Sequence, residues 1–318
     1  MDDPEIELAA HSHDAFAKDM LSNPVMARAF FQEHLPAEVA AHMEWDSLHL
    51  EPGSFVKQSL QQAHSDLLFS VRASGLPCLL YILLEHQTTV DELMPLRLLG
   101  YILEILRAHE ATHGLPLPPV LPMVLHQGPD RWTVSPNFED LFELPPALAA
   151  ILPPWLPKFS HVLLDLSQFD PREAVSDAHL TTVLLLMKLA RQKRLMEFFV
   201  WLRDQAMLPP ELLRQSLLYA LHAEPVLDVE EIARTLEDNP KLKEQVMSTA
   251  TVLIAKGKAE GKAEGKANGL LMGKLIMMQQ MMRRPVSTEK ELDSLGLEEL
   301  EQRFNELQRE YETTFKRP

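Results

Sequence analysis

Asp66, Glu85 and Gln87 are the residues whose types and spacing suit a hydrolytic centre. Asp66 opens the stretch Ser65–Arg72 and Glu85 closes the apolar run Pro77–Glu85, with Ser74–Gly75 between the two. Strand-length runs joined by so short a polar link read as an antiparallel hairpin. In such a hairpin, position 66 and position 85 fall at the same end of the sheet. Glu85 and Gln87 are two residues apart, so a strand that continues through both points them to one face. Two carboxylates and an amide form the oxygen-rich set that hard divalent cations such as Mg²⁺ prefer. A cation held there would activate water and offset charge on a phosphodiester. The plain alternative is a polar strand end in water, which needs no function.

The elements that must position these residues follow from periodicity. A first helix is expected over Asp14–Leu21, with Ser12 as cap, and a second over Val25–His34, with Met26, Ala29, Phe30 and Phe31 inward. Trp45–Leu50 reads as a short strand. The run PCLLYILLE is near-continuously apolar, as in a strand covered on both faces. A long amphipathic helix is expected over Val90–His109, with Leu93, Leu96, Leu99, Ile102, Leu103 and Leu106 recurring at helical spacing. Val120–His126 and Val162–Leu166 are further strands. Alternating strands and helices place the body in the α/β class. Ala174–His222 is helical with a break at Pro209–Pro210, and residues 228–255 continue as shorter helices. Glycines 257, 261, 265, 269 and 273 then recur every four residues, at a cost of about 1 kcal/mol each in a helix. Lys274–Lys316 resumes helical spacing and resembles a coiled coil in part.

Composition limits the function. The formal net charge is −16, which argues against gripping a polyanion by charge alone. Residues 1–240 carry 16 basic and 34 acidic side chains, whereas residues 241–318 carry 14 and 12, so the acidity sits in the body. Cys78 is the only cysteine, so no intramolecular disulfide forms, and it reads as a core residue. The acidic opening MDDPEIELAA lacks the features of a signal peptide, and no run reaches the roughly 18 apolar residues of a membrane span. The expectation is a cytoplasmic protein with no membrane partner.

Ser65–Leu68 with LYILLEHQTTVDELMPLRLLGYI (Leu80–Ile102) closely resembles the recombination-promoting nuclease family, also labelled YhgA-like transposases. His13–Phe16, LPMVLHQGPDRW (Leu121–Trp132), HVLLDLS (His161–Ser167) and the glycine–lysine repeat add to the resemblance. It implies a PD-(D/E)xK nuclease-like core over residues 11–222, with a mixed central sheet flanked by helices. A helical extension (223–255) and a repeat-bearing, coiled-coil-like tail (256–318) would follow. It also implies a metal-dependent DNA endonuclease that promotes recombination. Asp66 and Glu85 would hold Mg²⁺ or another divalent cation, and Gln87 would complete the catalytic set. Asp14 would be an accessory metal contact and Arg97 a phosphate contact. Gln87 stands where the motif usually has lysine; it can orient water but supplies no charge.

Plainer readings stand beside these. His86 should face away from Glu85 and pack. Arg97 serves equally well as a structural bond to the sheet end. His126 sits where relatives often carry an aromatic residue and reads as structural. The glycine–lysine repeat is a solvated helix or linker, a self-association face or a DNA-tracking arm. The Met-rich run Leu270–Met282 reads as an interaction face. The competing function is a non-catalytic, oligomeric, DNA-associated or regulatory protein on a degenerate nuclease fold. In either case the partners would be DNA and further copies of the chain, joined through the C-terminal helical region, which could also be an assembly module independent of the body.

Overall fold

The computed structural model describes residues 13, 15–51, 67–85, 90–128, 130–205, 208–224, 226–282, 284–288, 291–292 and 295–315. They fall into two compact units, Met1–Met247 and Ser248–Pro318.

In the first unit, residues 15–22 are helical, and helix α1 spans Pro24–His34. Asn23 separates the two. Its side-chain oxygen accepts from the backbone N–H of Val25 at 2.9 Å and of Met26 at 3.4 Å, and Pro24 occupies the first turn, where no N–H is needed. The buried face of α1 is Ala27, Phe30 and Phe31, while Met26 and Ala29 are only half-buried.

Five strands follow: β1 Met43–Leu50, β2 Leu67–Ala73, β3 Leu76–Glu85, β4 Val120–His126 and β5 Val162–Asp165. They pair in the order β1-β2-β3-β4-β5. The first two pairings are antiparallel and the last two parallel, so the sheet is mixed. The β2–β3 ladder runs from Ala73↔Leu76 to Leu67↔Ile82. Its two-residue turn has φ +49° at Ser74 and +83° at Gly75, the left-handed pair that matches strand twist. The Gly75 N–H donates to Glu44 Oε1 at 2.6 Å, tying the turn to β1. Ser47 holds the irregularity in β1: its hydroxyl donates to Glu44 O at 2.6 Å and accepts from Arg72 N at 2.8 Å.

Both faces of the sheet are covered. Helix α2 (Met94–His113) lies on one, where Met94, Leu98 and Ile105 pack with Leu68, Leu79, Val124 and Trp132. Phe31 of α1 meets Phe69 of β2 edge-to-face at 5.3 Å on the other. Helix α3 (Ala178–Arg191) is buried from Leu180 to Ala190 except at Lys188, as befits a helix apolar all round. Helices α4 (Leu195–Arg203), α5 (Pro210–Ala223) and α6 (Val229–Thr235) complete the body. The chain breaks at Gln192–Arg194 as well as before Pro210, with Lys193 at φ +54°.

Helix α2 departs from expectation in span and face. It starts at Met94 because Asp91 Oδ1 accepts from Leu93 N at 2.9 Å and Pro95 sits in the first turn. It ends at Gly114, whose φ is +74°. The inward stripe is Met94, Leu98, Tyr101 and Ile105, while Leu93, Leu96 and Leu103 are 55, 49 and 46% exposed. Leucines surround this helix, so their recurrence does not mark the buried side. The 4-3-4 spacing of the stripe does.

Helix α7 spans Pro240–Met281. The glycine repeat is thus helical, not a linker, and residues 240–255 belong to this one long helix. The Ala, Lys and Glu between the glycines are strong helix formers, and four-residue spacing confines the glycines to one slowly winding stripe. A non-helical stretch at residues 284–288, including Pro285, interrupts the expected Lys274–Lys316 helix before α8 (Leu297–Phe315). Met272, Leu275, Leu292 and Leu300 form the core of the second unit, and Lys274 Nζ lies 5.6 Å from the centroid of the Phe304 ring. Among the described residues, no helix is long and apolar enough to cross a membrane.

Two predictions follow from the packing. Leu98→Ala should lower unfolding free energy by about 2–5 kcal/mol in urea, and Leu103→Ala by less than about 0.5 kcal/mol; the reverse order would refute the assigned face. Burial lowers His34 and His161 from the usual 6.5 to about 4, against the opposing pull of Glu33 and of the Pro136 carbonyl. Their stabilising contribution is therefore complete above about pH 6.5 and lost as pH falls towards 4, where the folded state must also protonate. Urea midpoints should fall across that window, and His161→Phe should flatten the slope; an unchanged slope would contradict the buried neutral ring.

Candidate functional site at the ends of the parallel strands

The three parallel strands end in register on polar residues. Glu85 pairs with His126, and His126 pairs with Asp165. In-register neighbours project to one face of a sheet. That face carries Leu79, Val124 and Leu163 and is covered by α2 and Trp132. Ligands of open α/β sheets favour this location, outside the carboxyl ends of the strands.

The loop after β4 is pinned over this row. Asp165 is 8% exposed. Its Oδ2 accepts from Trp132 N at 2.8 Å and its Oδ1 from Ser167 N at 2.9 Å. Leu166 N donates to His126 O at 3.0 Å, and Trp132 Nε1 donates to Val134 O at 2.9 Å. The His126 ring meets Trp132 edge-to-face at 5.1 Å, with Nε2 3.0 Å from Asp130 O. His126 and Gln127 are each 1% exposed. Among the described residues, neither His126 Nδ1 nor the amide oxygen and nitrogen of Gln127 has a hydrogen-bond partner.

Lys188 is the cation that interacts with a strand-end carboxylate, Asp165. Lys188 Nζ donates to Phe169 O at 2.5 Å. Burial draws its pKa down while Asp170 and Asp165 draw it up. Hydrogen bonding from Arg172 holds the Asp170 carboxyl below the usual range. Arg97 Nη1 is 2.9 Å from Asp91 Oδ2, which ties the start of α2 to the loop before it.

Of the residues singled out in the sequence, the structure places the Glu85 backbone at the last rung of β3 and Arg97 on the first turn of α2. Asp14, Asp66, His86 and Gln87 lie outside the described residues. Among the described residues, no group of three or more His, Cys, Asp or Glu side chains is arranged to hold a metal ion. Sequence reasoning passed over Gln127, Asp165 and Lys188. The signal available for two of them was position, since Gln127 follows the last residue of β4 and Asp165 is the last of β5. Lys188 carried only its place as the single charge inside an apolar helix.

Asp165→Ala would strand two backbone N–H groups and should cost roughly 2–4 kcal/mol of stability. Loosening of the Trp132 loop should accompany it, read as a change in tryptophan fluorescence at temperatures where the mutant stays folded. A stability change within about 0.5 kcal/mol would mean the clasp is not needed.

The family described as "Putative transposase, YhgA-like" matches residues 11–212. Recombination-promoting nuclease RpnC of Escherichia coli (strain K12) is 32% identical over 186 residues, covering 58% of this chain and 60% of that protein. The match therefore spans less than two thirds of that relative. Recombination-promoting nuclease RpnA of the same strain is 28% identical over 251 residues, covering 77% of this chain and 84% of its own. A third relative from that strain, named inactive recombination-promoting nuclease-like protein RpnE, is 32% identical over 134 residues, covering 42% of this chain and 45% of its own. No solved structure matches the chain. With most of the α/β body inside the matched region, the chain belongs to the family of YhgA-like transposases, whose relatives here are named recombination-promoting nucleases.

Proposed function

We propose that the chain is a divalent-cation-dependent DNA endonuclease that promotes recombination, with a core of the PD-(D/E)xK type. The observation that carries this reading is the position of Glu85. It ends β3 at the end of the sheet where Leu67 begins β2. One further step of the Leu67↔Ile82 ladder would set position 66 opposite position 83, on the face of position 85. The names of the relatives support the same activity.

In this reading Asp66 and Glu85 hold the cation, Mg²⁺ or another divalent ion. When bound, the cation supplies positive charge at the scissile phosphate and an acidified water. The carboxylates fix the geometry, and the Gln87 amide orients the attacking water through a hydrogen bond. Without the lysine charge usual at that position, stabilisation of the developing negative charge falls to the cation and to whatever positive groups reach the strand ends. Slow turnover is the consequence.

A second reading, a non-catalytic DNA-associated protein on the same fold, is favoured by the absence of that lysine, by the net charge of −16 and by relatives named inactive. Plasmid nicking with Mg²⁺ separates the two. Wild type should nick, and Asp66→Ala should slow nicking by roughly 10²-fold or more. Equal nicking by both proteins removes the nuclease assignment. No nicking by wild type, together with retained DNA binding, establishes the second reading.

A further inference from the structure

The connection from β4 to β5 carries a surface unlike the rest of the acidic body. Residues 144–157 read LPPALAAILPPWLP, fourteen residues with no charged side chain and no polar one except the Trp155 indole. A stretch this apolar is usually found inside a protein. Here it lies outside: Trp155 is 73% exposed, Ile151 57%, Leu148 43% and, just before the stretch, Phe142 38%. Exposed leucines scattered singly are ordinary, but a contiguous apolar patch of more than a few hundred Å² marks a contact surface.

The segment is a braced projection. At its base Asn137 and Ser160 form an antiparallel bridge, where Phe138 N–H donates to Phe159 O at 3.0 Å and His161 N–H to Pro136 O at 3.1 Å. The Phe138 and Phe159 rings stack there with centroids 5.3 Å apart, and Lys158 Nζ lies 3.6 Å from Glu139 Oε1. Towards the tip, Pro146–Ala149 make one helical turn and Pro153–Trp155 a 3₁₀ turn. Ile151 N–H donates to Leu148 O at 2.9 Å and Trp155 N–H to Leu152 O at 2.9 Å. Prolines 145, 146, 153, 154 and 157 fix φ along the segment, so little conformational freedom is left to lose on docking. A connection that only had to bridge two strands would need the turns; it would not need Trp155, Ile151 and Leu148 facing water.

We infer that this projection joins two copies of the chain, tip to tip about a two-fold axis. Charge selects that occupant. Residues 1–240 carry 16 basic and 34 acidic side chains, so two bodies repel one another over most of their surface. They meet without that cost only where neither carries charge, and residues 144–157 are such a place. One acid, Glu143, and one base, Lys158, flank the stretch, so its rim is neutral and suits a self-complementary, two-fold contact. The same acidity disfavours an anionic lipid surface or a phosphate backbone, either of which needs more than one lysine beside the tip. The exposed area of these residues is on the order of 800 Å², about one partner's share of a standard interface. Trp155, the most exposed of the four large side chains, is of the type that dominates binding energy at such contacts. The pairing is independent of the nuclease reading and of any association through the C-terminal helices.

The test is the mass of the full-length protein by light scattering over a dilution series. Wild type should approach twice the chain mass. Ile151→Glu and Trp155→Glu, which set like charges against each other across the two-fold, should each raise the dissociation constant at least about 30-fold. Their urea midpoints should match wild type, because both side chains are exposed. Ile151→Lys should also dissociate, and mixing it with Ile151→Glu should restore the doubled mass, since opposite charges then meet. Leu270→Glu, at an exposed position of α7, should leave the dimer intact. A monomeric wild type overturns the inference, as do glutamate variants that keep the wild-type mass, a mixture that stays monomeric, or a dimer lost in Leu270→Glu instead. A monomeric wild type that binds phosphatidylcholine vesicles or single-stranded DNA through Trp155 overturns the choice of a second copy. Should a glutamate variant fail to fold, Trp155→Ser carries the same expectation, and the wild-type mass still decides.

Discussion

The parallel ladder of β3, β4 and β5 stops at one level, and the last rung is polar all the way across. The Asp165 carboxylate makes that ending stable. By accepting from Trp132 and Ser167 it satisfies two backbone donors that the sheet no longer pairs, and it folds the β4 loop back over the strand ends. Trp132 then plugs the space between α2 and the sheet and fixes the His126 ring from the side. The conformation of the loop after β4 and the packing of Trp132 on the His126 ring both depend on this one buried carboxylate.

The acidic body constrains how such a site could meet a polyanion. Several described cations are already engaged locally: Arg97 by Asp91, Arg172 by Asp170, Arg194 by Glu197 and Arg214 by Glu211. Exposed pairs of this kind contribute little to stability, but they neutralise charge that would otherwise attract phosphate. A site on this surface must draw its positive potential from close range, from a bound cation or from partly buried groups such as Lys188, and not from a broad basic field.

Much of the sheet was legible because its signals are local. The apolar runs gave most of β3 and all of β4 and β5, and Ser74–Gly75 gave the hairpin, since a two-residue turn between strands favours residues that accept a positive φ. Helix α2 was legible in existence but not in face, because leucine occupies its exposed and buried sides alike. The glycine repeat left helix and linker open: a penalty counted residue by residue ignores how a four-residue period leaves strong helix formers on every other stripe, and the helix is what forms. Around the candidate site, the sequence drew attention to acids at strand ends. It could not reveal that His126 Nδ1 and the Gln127 amide lack partners among the described residues, because an unmet hydrogen bond is a property of three-dimensional packing and leaves no pattern in the chain.

The two-residue turn at Ser74–Gly75 also bears on which sequence changes a lineage can tolerate. Side chains alternate between faces, so one residue gained or lost within the β2–β3 hairpin would slide the ladder and reverse every position beyond it. The apolar face would turn towards the wrong helix layer. Point substitutions along these strands are changes of degree, whereas single-residue insertions and deletions are changes of kind. Length variation in descendants of this chain is thereby steered out of the hairpin and into segments where no ladder keeps count.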